Sequence, residues 1–191
     1  VSYDVTPETS FNNGMTFGNN GMMIFLTKGG GTDEVLEYTL SAPYDISAMT
    51  YAGAAEDLFI GGEEGNPQAL EFNDDGKTLF VLGVSNDAVK QYALSVAWDV
   101  STGVYAGAAE DLDVSSNQGT PTGLRFSNDG MKLFTTGTTP TAIHTYNLSA
   151  PYDVSTGVLD AGQTFNVPSA QDVFISGLAF NDAGTRVVLS G

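Results

Sequence analysis

The chain of 191 residues has the length of one ordinary domain, and its 41% hydrophobic and 15% charged residues describe a chain that buries a core, not a disordered acidic tail. Six basic residues against 23 acidic ones leave a formal charge of -17, which repels phosphate backbones and anionic lipid and favours divalent cations or neutral polar ligands such as sugars. The absence of cysteine removes disulfides, thiolate chemistry and sulfur-ligated zinc, and no run of about 18 apolar residues offers a membrane span.

Along the chain, one unit returns at a fixed interval. Phe17, Phe72, Phe126 and Phe180 each precede a glycine-containing turn, NNG, DDG, NDG and DAG in order, at gaps of 55, 54 and 54 residues. Tyr38, Tyr92 and Tyr146 keep the same period, as do the corner segments YDIS at 44–47, WDVS at 98–101 and YDVS at 152–155. The octapeptide YAGAAEDL at 51–58 recurs at 105–112 for the same reason, and its third copy has drifted to LDAGQTFNV. The units run approximately over 11–65, 66–119, 120–173 and, in part, 174–191. Tyr3, Asp4, Val5 and Thr6 read as one more corner, displaced toward its phenylalanine.

Within a unit, four short strands are predicted. The clearest copy has GLRF at 123–126, a type I′ turn at NDG, KLFTTG at 132–137, AIHTYNL at 142–148, and, past the corner, a fourth strand corresponding to 104–114. Alanine and glutamate make that last strand the poorest former. Four antiparallel strands in about 50 residues, repeated in tandem, is the arithmetic of a β-propeller blade. The fold class is therefore all-β, a β-propeller with about three and a half blades present. That number does not close a ring, so further blades outside these residues, or a second chain, are expected to complete it.

The segments FNDDGKTLFVLG at 72–83 and YNLSAPYDVST at 146–156 resemble the tandem propeller repeats of bacterial secreted proteins and of bacteriophage structural and tail proteins. The DGK turn is similar to that of lactonase-like and WD40-like propellers. The likeness covers nearly the whole chain and speaks to the fold more than to the activity. The turn departs from the sialidase Asp-box, because Asp129 and Gly130 are adjacent and no tryptophan follows.

Positions that stay the same in every copy answer a demand shared by all blades, and positions that change are free to carry function. By that rule the Phe, Tyr and Leu anchors, the Asp-Gly turns and the corners are scaffold, with Asp45, Asp99 and Asp153 accepting hydrogen bonds from backbone amides of their own turns. The variable loops are 29–34, 84–87 and 138–141 between second and third strands, and 61–66, 115–120 and 168–173 between fourth and first. Both sets emerge on one face, which gathers Asp33, Glu34, Glu63, Glu64, Asn66, Asn86, Asp87, Asn117, Gln118, Gln171 and Asp172 around one mouth as candidate ligand-binding residues.

Catalytic constellations are scarce. His144 is the only histidine and reads as a blade surface residue; Trp98 replaces a corner tyrosine and reads as packing. No Gly-x-Ser-x-Gly elbow is present. No cofactor is expected, although carboxylate pairs such as Glu63 and Glu64 have the oxygen ligands of a Ca2+ site. The leading expectation is thus a protein that is not an enzyme: a binding or structural module of an exported or virion-associated protein. Its partners are a cell-surface glycan, a protein receptor or neighbouring structural subunits, with no nucleic acid, no membrane insertion and a possible homo-oligomer. The alternative is a lactonase-like hydrolase in which a divalent metal in the channel polarises a carbonyl. A third reading is a purely architectural fibre or capsid-decoration protein.

Overall fold

The computed structural model describes residues 4–5, 8–9, 11–168, 174–181 and 183–191. Blade 1 carries β1 (Met15–Gly18), β2 (Met23–Lys28), β3 (Glu34–Thr39) and an outer strand in two pieces, β4 (Thr50–Tyr51) and β5 (Leu58–Phe59). Blade 2 repeats it with β6 (Pro67–Phe72), β7 (Thr78–Gly83), β8 (Ala88–Leu94), β9 (Gly103–Tyr105) and β10 (Leu112–Asp113). Blade 3 has β11 (Pro121–Phe126), β12 (Lys132–Thr138), β13 (Thr141–Asn147), β14 (Val158–Leu159) and β15 (Phe165–Asn166). The strands β16 (Gly177–Phe180) and β17 (Val187–Ser190) pair as the inner half of a fourth blade. Pairing is antiparallel throughout, with each blade ordered from inner to outer strand. The architecture is the expected all-β propeller arrangement of four-stranded antiparallel blades.

The fourth strand differs from its sequence reading. It is not continuous: β9 pairs with the far half of β8 and β10 with the near half, and residues 106–111 loop out between them through a 3-10 turn. Gly53 and Gly107 lead the loop out with φ of 110° and 107°, a conformation that alanine and glutamate would resist. The loop is tied back by its own side chains, since Tyr51 donates its hydroxyl to Asp57 and Tyr105 donates to Asp111 at 2.6 Å. In the third copy these positions are Leu159 and Phe165, so the hydroxyl and its acceptor are absent together.

In blade 1 the turn between first and second strands has the left-handed pair of a type I′ turn, Asn20 at φ 54° and Gly21 at φ 79°, with the Met22 N–H donating to the Asn19 carbonyl at 3.1 Å. The turns of blades 2 and 3 differ from it. Gly76 and Gly130 take φ of 69° and 66°, whereas the aspartates before them stay out of the left-handed region. Gly76 N–H donates to the Asn73 carbonyl at 3.1 Å, which makes a type I turn followed by a left-handed glycine. Onto each such glycine folds the corner aromatic of its own blade. Tyr44, Trp98 and Tyr152 have φ of 61°, 66° and 60°, and their N–H groups donate to the carbonyls of Gly21, Gly76 and Gly130 at 2.7, 2.9 and 2.9 Å. The corner aspartates behave partly as expected. Asp45 accepts from the Ser47 N–H at 2.9 Å, while Asp99 and Asp153 take the hydroxyls of Ser101 and Ser155 at 2.6 and 2.7 Å.

Blades join through one repeated contact. A second-strand phenylalanine stacks obliquely on the inner-strand phenylalanine of the next blade: Phe25 on Phe72 at 4.6 Å, Phe80 on Phe126 at 4.7 Å and Phe134 on Phe180 at 4.6 Å. Such pairs contribute about 0.5–1.5 kcal/mol beyond the area they bury. Both faces of each middle blade are therefore covered, which is why Leu79, Phe80, Val81 and Leu82 are all fully buried in an unbroken apolar run. At the N-terminal end, Val5 does not form a corner. Its carbonyl accepts from Glu8 and Thr9 N–H as Ile60 accepts from Glu63 and Glu64 and Val114 from Asn117 and Gln118, so it occupies the approach to an inner strand. Tyr3 and Thr6 of that motif lie outside the described residues.

Candidate functional site

The loops of the variable face meet in pairs, junction by junction. Between blades 1 and 2, Glu64 is fully buried, and its Oε1 accepts the N–H groups of Asn66 and Ser85 at 2.9 and 3.0 Å. Asn86 donates to the Glu63 carbonyl at 2.8 Å. One junction further, Gln118 takes the place of Glu64: its amide donates to the Pro140 carbonyl at 2.6 Å and its oxygen meets His144 Nδ1 at 2.8 Å. His144 is therefore a buried member of this brace and not a surface residue, and burial pulls its pKa below the usual imidazole value.

The other mouth residues are mostly engaged as well. Glu34 pairs with Lys28 at 2.7 Å. Asn66 accepts from the Gln68 amide at 2.7 Å, and Asn117 donates to the Tyr146 hydroxyl at 3.4 Å. The carbonyls of Asp33 and Asp87 accept Ile60 and Val114 N–H at 2.9 Å each. Among the described residues Asp33 Oδ1, Glu64 Oε2 and Asp87 Oδ1 have no hydrogen-bond partner, and burial with the charges of Glu64 and Asp113 raises the pKa of Asp87. Gln171 and Asp172 lie outside the described residues. Among the described residues no three Asp, Glu or His side chains converge closely enough to hold a metal ion. The described residues thus supply no complete ligand set for the channel-bound divalent ion that the lactonase resemblance implies.

The inner strands carry a different set. At one register position stand Thr16, Glu71, Arg125 and Ala179, each just before its blade's inner phenylalanine. Arg125 Nη1 lies 3.1 Å from Glu71 Oε1, and the Phe126 N–H donates to Glu71 Oε2 at 2.9 Å, so the carboxylate of blade 2 is held by the inner strand of blade 3. The glutamate is buried and the arginine side chain is 45% exposed, which leaves the guanidinium reachable. Burial pushes the Glu71 pKa up to about 7, against the lowering by Arg125 and the Phe126 N–H. The pair lines a cavity of about 230 Å³ with Thr16, Asn19, Asn20, Asn73 and Trp98, at the end of the inner strands where the shared turns emerge. A carboxyl that exchanges its proton near neutrality beside a fixed cation is equipped for general acid-base chemistry on an electrophilic carbonyl.

Glu71 and Arg125 were not among the residues singled out from the sequence. Their signal is the same copy-to-copy variation used for the loops, for Thr, Glu, Arg and Ala follow one another at a position flanked by Leu or Met and an unchanging Phe.

No family model matches the chain, and no curated protein matches it. Solved structures do. A candidate 6-phosphogluconolactonase from Bacteroides uniformis ATCC 8492 superposes with a TM-score of 0.62 at 14% identity, over 93% of this chain and 46% of that one. The periplasmic gluconolactonase PpgL of Pseudomonas aeruginosa gives 0.58 at 16% identity, over 85% and 42%. The β-propeller domain of Cps50 (Swd1) from Myceliophteria thermophila gives 0.54 at 11% identity, over 94% and 47%. The chain spans about half the length of these neighbours, and at such identities the likeness establishes the propeller fold. It carries the propeller part of the resemblance and not its bacteriophage part. It also corrects the expectation of a protein that is not an enzyme, because lactonase propellers stand among its neighbours.

Proposed function

We propose that the chain forms part of a propeller hydrolase that opens lactones, with Glu71 as the proton-transferring group and Arg125 as the electrostatic one. The observation that carries this reading is the buried Glu71 carboxyl, pushed up to about 7 and held 3.1 Å from the half-exposed Arg125 guanidinium in a cavity at the inner strands. The likeness to lactonase propellers supports the same reaction class. In the ionised form Glu71 takes a proton from water as the water oxygen bonds to the lactone carbonyl carbon. The charge that develops on the carbonyl oxygen faces Arg125. As the tetrahedral species collapses, the ring C–O bond breaks and the departing oxygen takes the proton back from Glu71, which leaves a hydroxy acid and the starting carboxylate.

Acid release from glucono-1,5-lactone, followed by pH-stat near neutrality, tests the proposal. Turnover above the spontaneous rate is expected, with Glu71→Gln and Arg125→Ala each slower by about a hundredfold or more. Rates equal to the spontaneous reaction, or variants as fast as the parent, would overturn it.

A further inference from the structure

The corner aromatics Trp98 and Tyr152 do more than cover the glycine of their own turns. Each reaches back to the preceding blade and fills the notch beside the second-strand phenylalanine of that blade and the inner-strand phenylalanine of its own. Tyr152 of blade 3 lies 5.0 Å from Phe126 and 6.4 Å from Phe80, ring to ring, and donates its hydroxyl at 2.7 Å to Asp74 in the turn of blade 2. Trp98 of blade 2 lies 5.1 Å from Phe72, and a side chain at Gly18 in blade 1 would run into its ring at 2.6 Å.

Between blades 3 and 4 the corresponding notch is a cavity of about 550 Å³, lined by Phe126, Asn128, Lys132, Phe134, Phe180 and Gly184 among others. Its walls match the Tyr152 site position for position along the 54-residue repeat. Phe134 stands for Phe80, Phe180 for Phe126, Gly184 for Gly130, and Asn128 for the Asp74 that accepts the phenol. The Phe134 and Phe180 rings already keep the 4.6 Å spacing and 52° tilt of a filled joint, against 4.7 Å and 56° for Phe80 and Phe126. The Gly184 φ of 64° likewise matches the 66° of Gly130.

We infer that this cavity is a socket for the aromatic ring of a corner segment of the Tyr-Asp-Val-Ser type, the chemistry this chain carries at 152–155. The ring packs against the Phe134 and Phe180 pair over Gly184, stacked on Phe134 and tilted to Phe180 as Tyr152 is to Phe80 and Phe126, and the hydroxyl meets the Asn128 side chain. A tryptophan fits the same walls, as Trp98 fits those of the first joint, whereas an aliphatic residue forgoes the ring contacts. The site is separate from the Glu71 and Arg125 cavity and does not depend on the proposed reaction.

The test is calorimetric titration of the 191-residue chain with the blocked peptide SAPYDVSTG, which copies 149–157. Saturable binding is expected, weakened at least tenfold when the peptide tyrosine becomes alanine. Because Phe134→Ala risks unfolding the joint, Ala183→Trp provides the blocking variant, filling the socket from its rim while leaving the core rings in place. It is expected to abolish binding with an unchanged circular dichroism spectrum. Absence of binding, equal binding of the alanine peptide, or binding that survives Ala183→Trp would overturn the inference. So would a sedimentation result in which a second copy of the chain associates and Ala183→Trp dissociates it, since the occupant would then be that copy.

Discussion

At the scale of single residues, equivalent positions in successive blades serve as controls for one another. Glu64 and Gln118 brace equivalent loops at successive junctions, yet Glu64 leaves Oε2 without a partner among the described residues while both polar ends of Gln118 are bonded. Replacing Glu64 by Gln keeps the acceptor for Asn66 and Ser85 and removes a buried charge. It is expected to leave the thermal midpoint unchanged or raise it, whereas Glu64→Ala orphans two N–H groups and is expected to cost about 1–3 kcal/mol by denaturant titration. With the ionised Glu71 carboxylate as the base of the proposed reaction, lactone turnover should rise with pH through about 7 and then level off, a rise that Glu71→Gln abolishes. A flat pH profile between pH 5 and 9 would remove Glu71 from that role. The loop residues were legible in the sequence as divergent positions. Their bracing was not, because whether an exposed-looking Glu or Gln folds inward depends on which backbone amides the neighbouring loop presents.

At the scale of elements, the outer strand shows a strand interrupted and then repaired by its own side chains. Tyr51 and Asp57 hold the looped-out residues in blade 1, and burial raises the pKa of both groups, with their mutual hydrogen bond raising the phenol and lowering the acid. Tyr51→Leu alone strips a part-buried carboxylate of its donor and is expected to cost about 1–3 kcal/mol. Adding Asp57→Phe, which reproduces the pairing found at Leu159 and Phe165, is expected to recover part of that loss, with a coupling of about 0.5–3 kcal/mol in a double-mutant cycle. Strictly additive losses would mean that the two positions act independently. The turn glycines yield a further expectation. A methyl group at Gly76 would enter the Trp98 indole at a φ of 69°, so Gly76→Ala should destabilise by more than about 1 kcal/mol. The interval of the repeat made the existence of the outer strand readable, but its break was hidden. A two-residue pairing at each end of a loop leaves almost no alternation for a sequence pattern to show.

At the scale of the whole molecule, buried carboxyls and surplus negative charge act together. Glu37 and Glu71 each reach into the next blade, accepting the N–H of Val100 at 3.3 Å and of Phe126 at 2.9 Å, and burial pushes both up to about 7. Their folded-state values lie above the unfolded value of 4.5, so between those pH values the folded chain holds more protons than the unfolded one. The resulting stability is fully present below about pH 4.5 and is lost as pH rises through about 7. The thermal midpoint is therefore expected to be higher at pH 5 than at pH 8, and the difference should shrink when both glutamates become glutamine. The surface aspartates 45, 113, 129 and 160 have lowered values and oppose this trend only at more acid pH. The net charge of -17 adds that salt at pH 8 should raise the midpoint by screening self-repulsion. A midpoint insensitive to both pH and salt would contradict this account.

The period of 54 or 55 residues, the four strands per unit and the shared anchors were determined by the sequence itself, because repeated copies expose through their agreement what every blade must satisfy. Tertiary structure alone decided which variable residues meet. Glu71 and Arg125 are 54 positions apart and belong to different blades, so only the sideways packing of one inner strand on the next brings a carboxylate to a guanidinium. The same packing, by excluding water from Glu71, moves its proton affinity to neutrality, a property that no local stretch of the chain encodes.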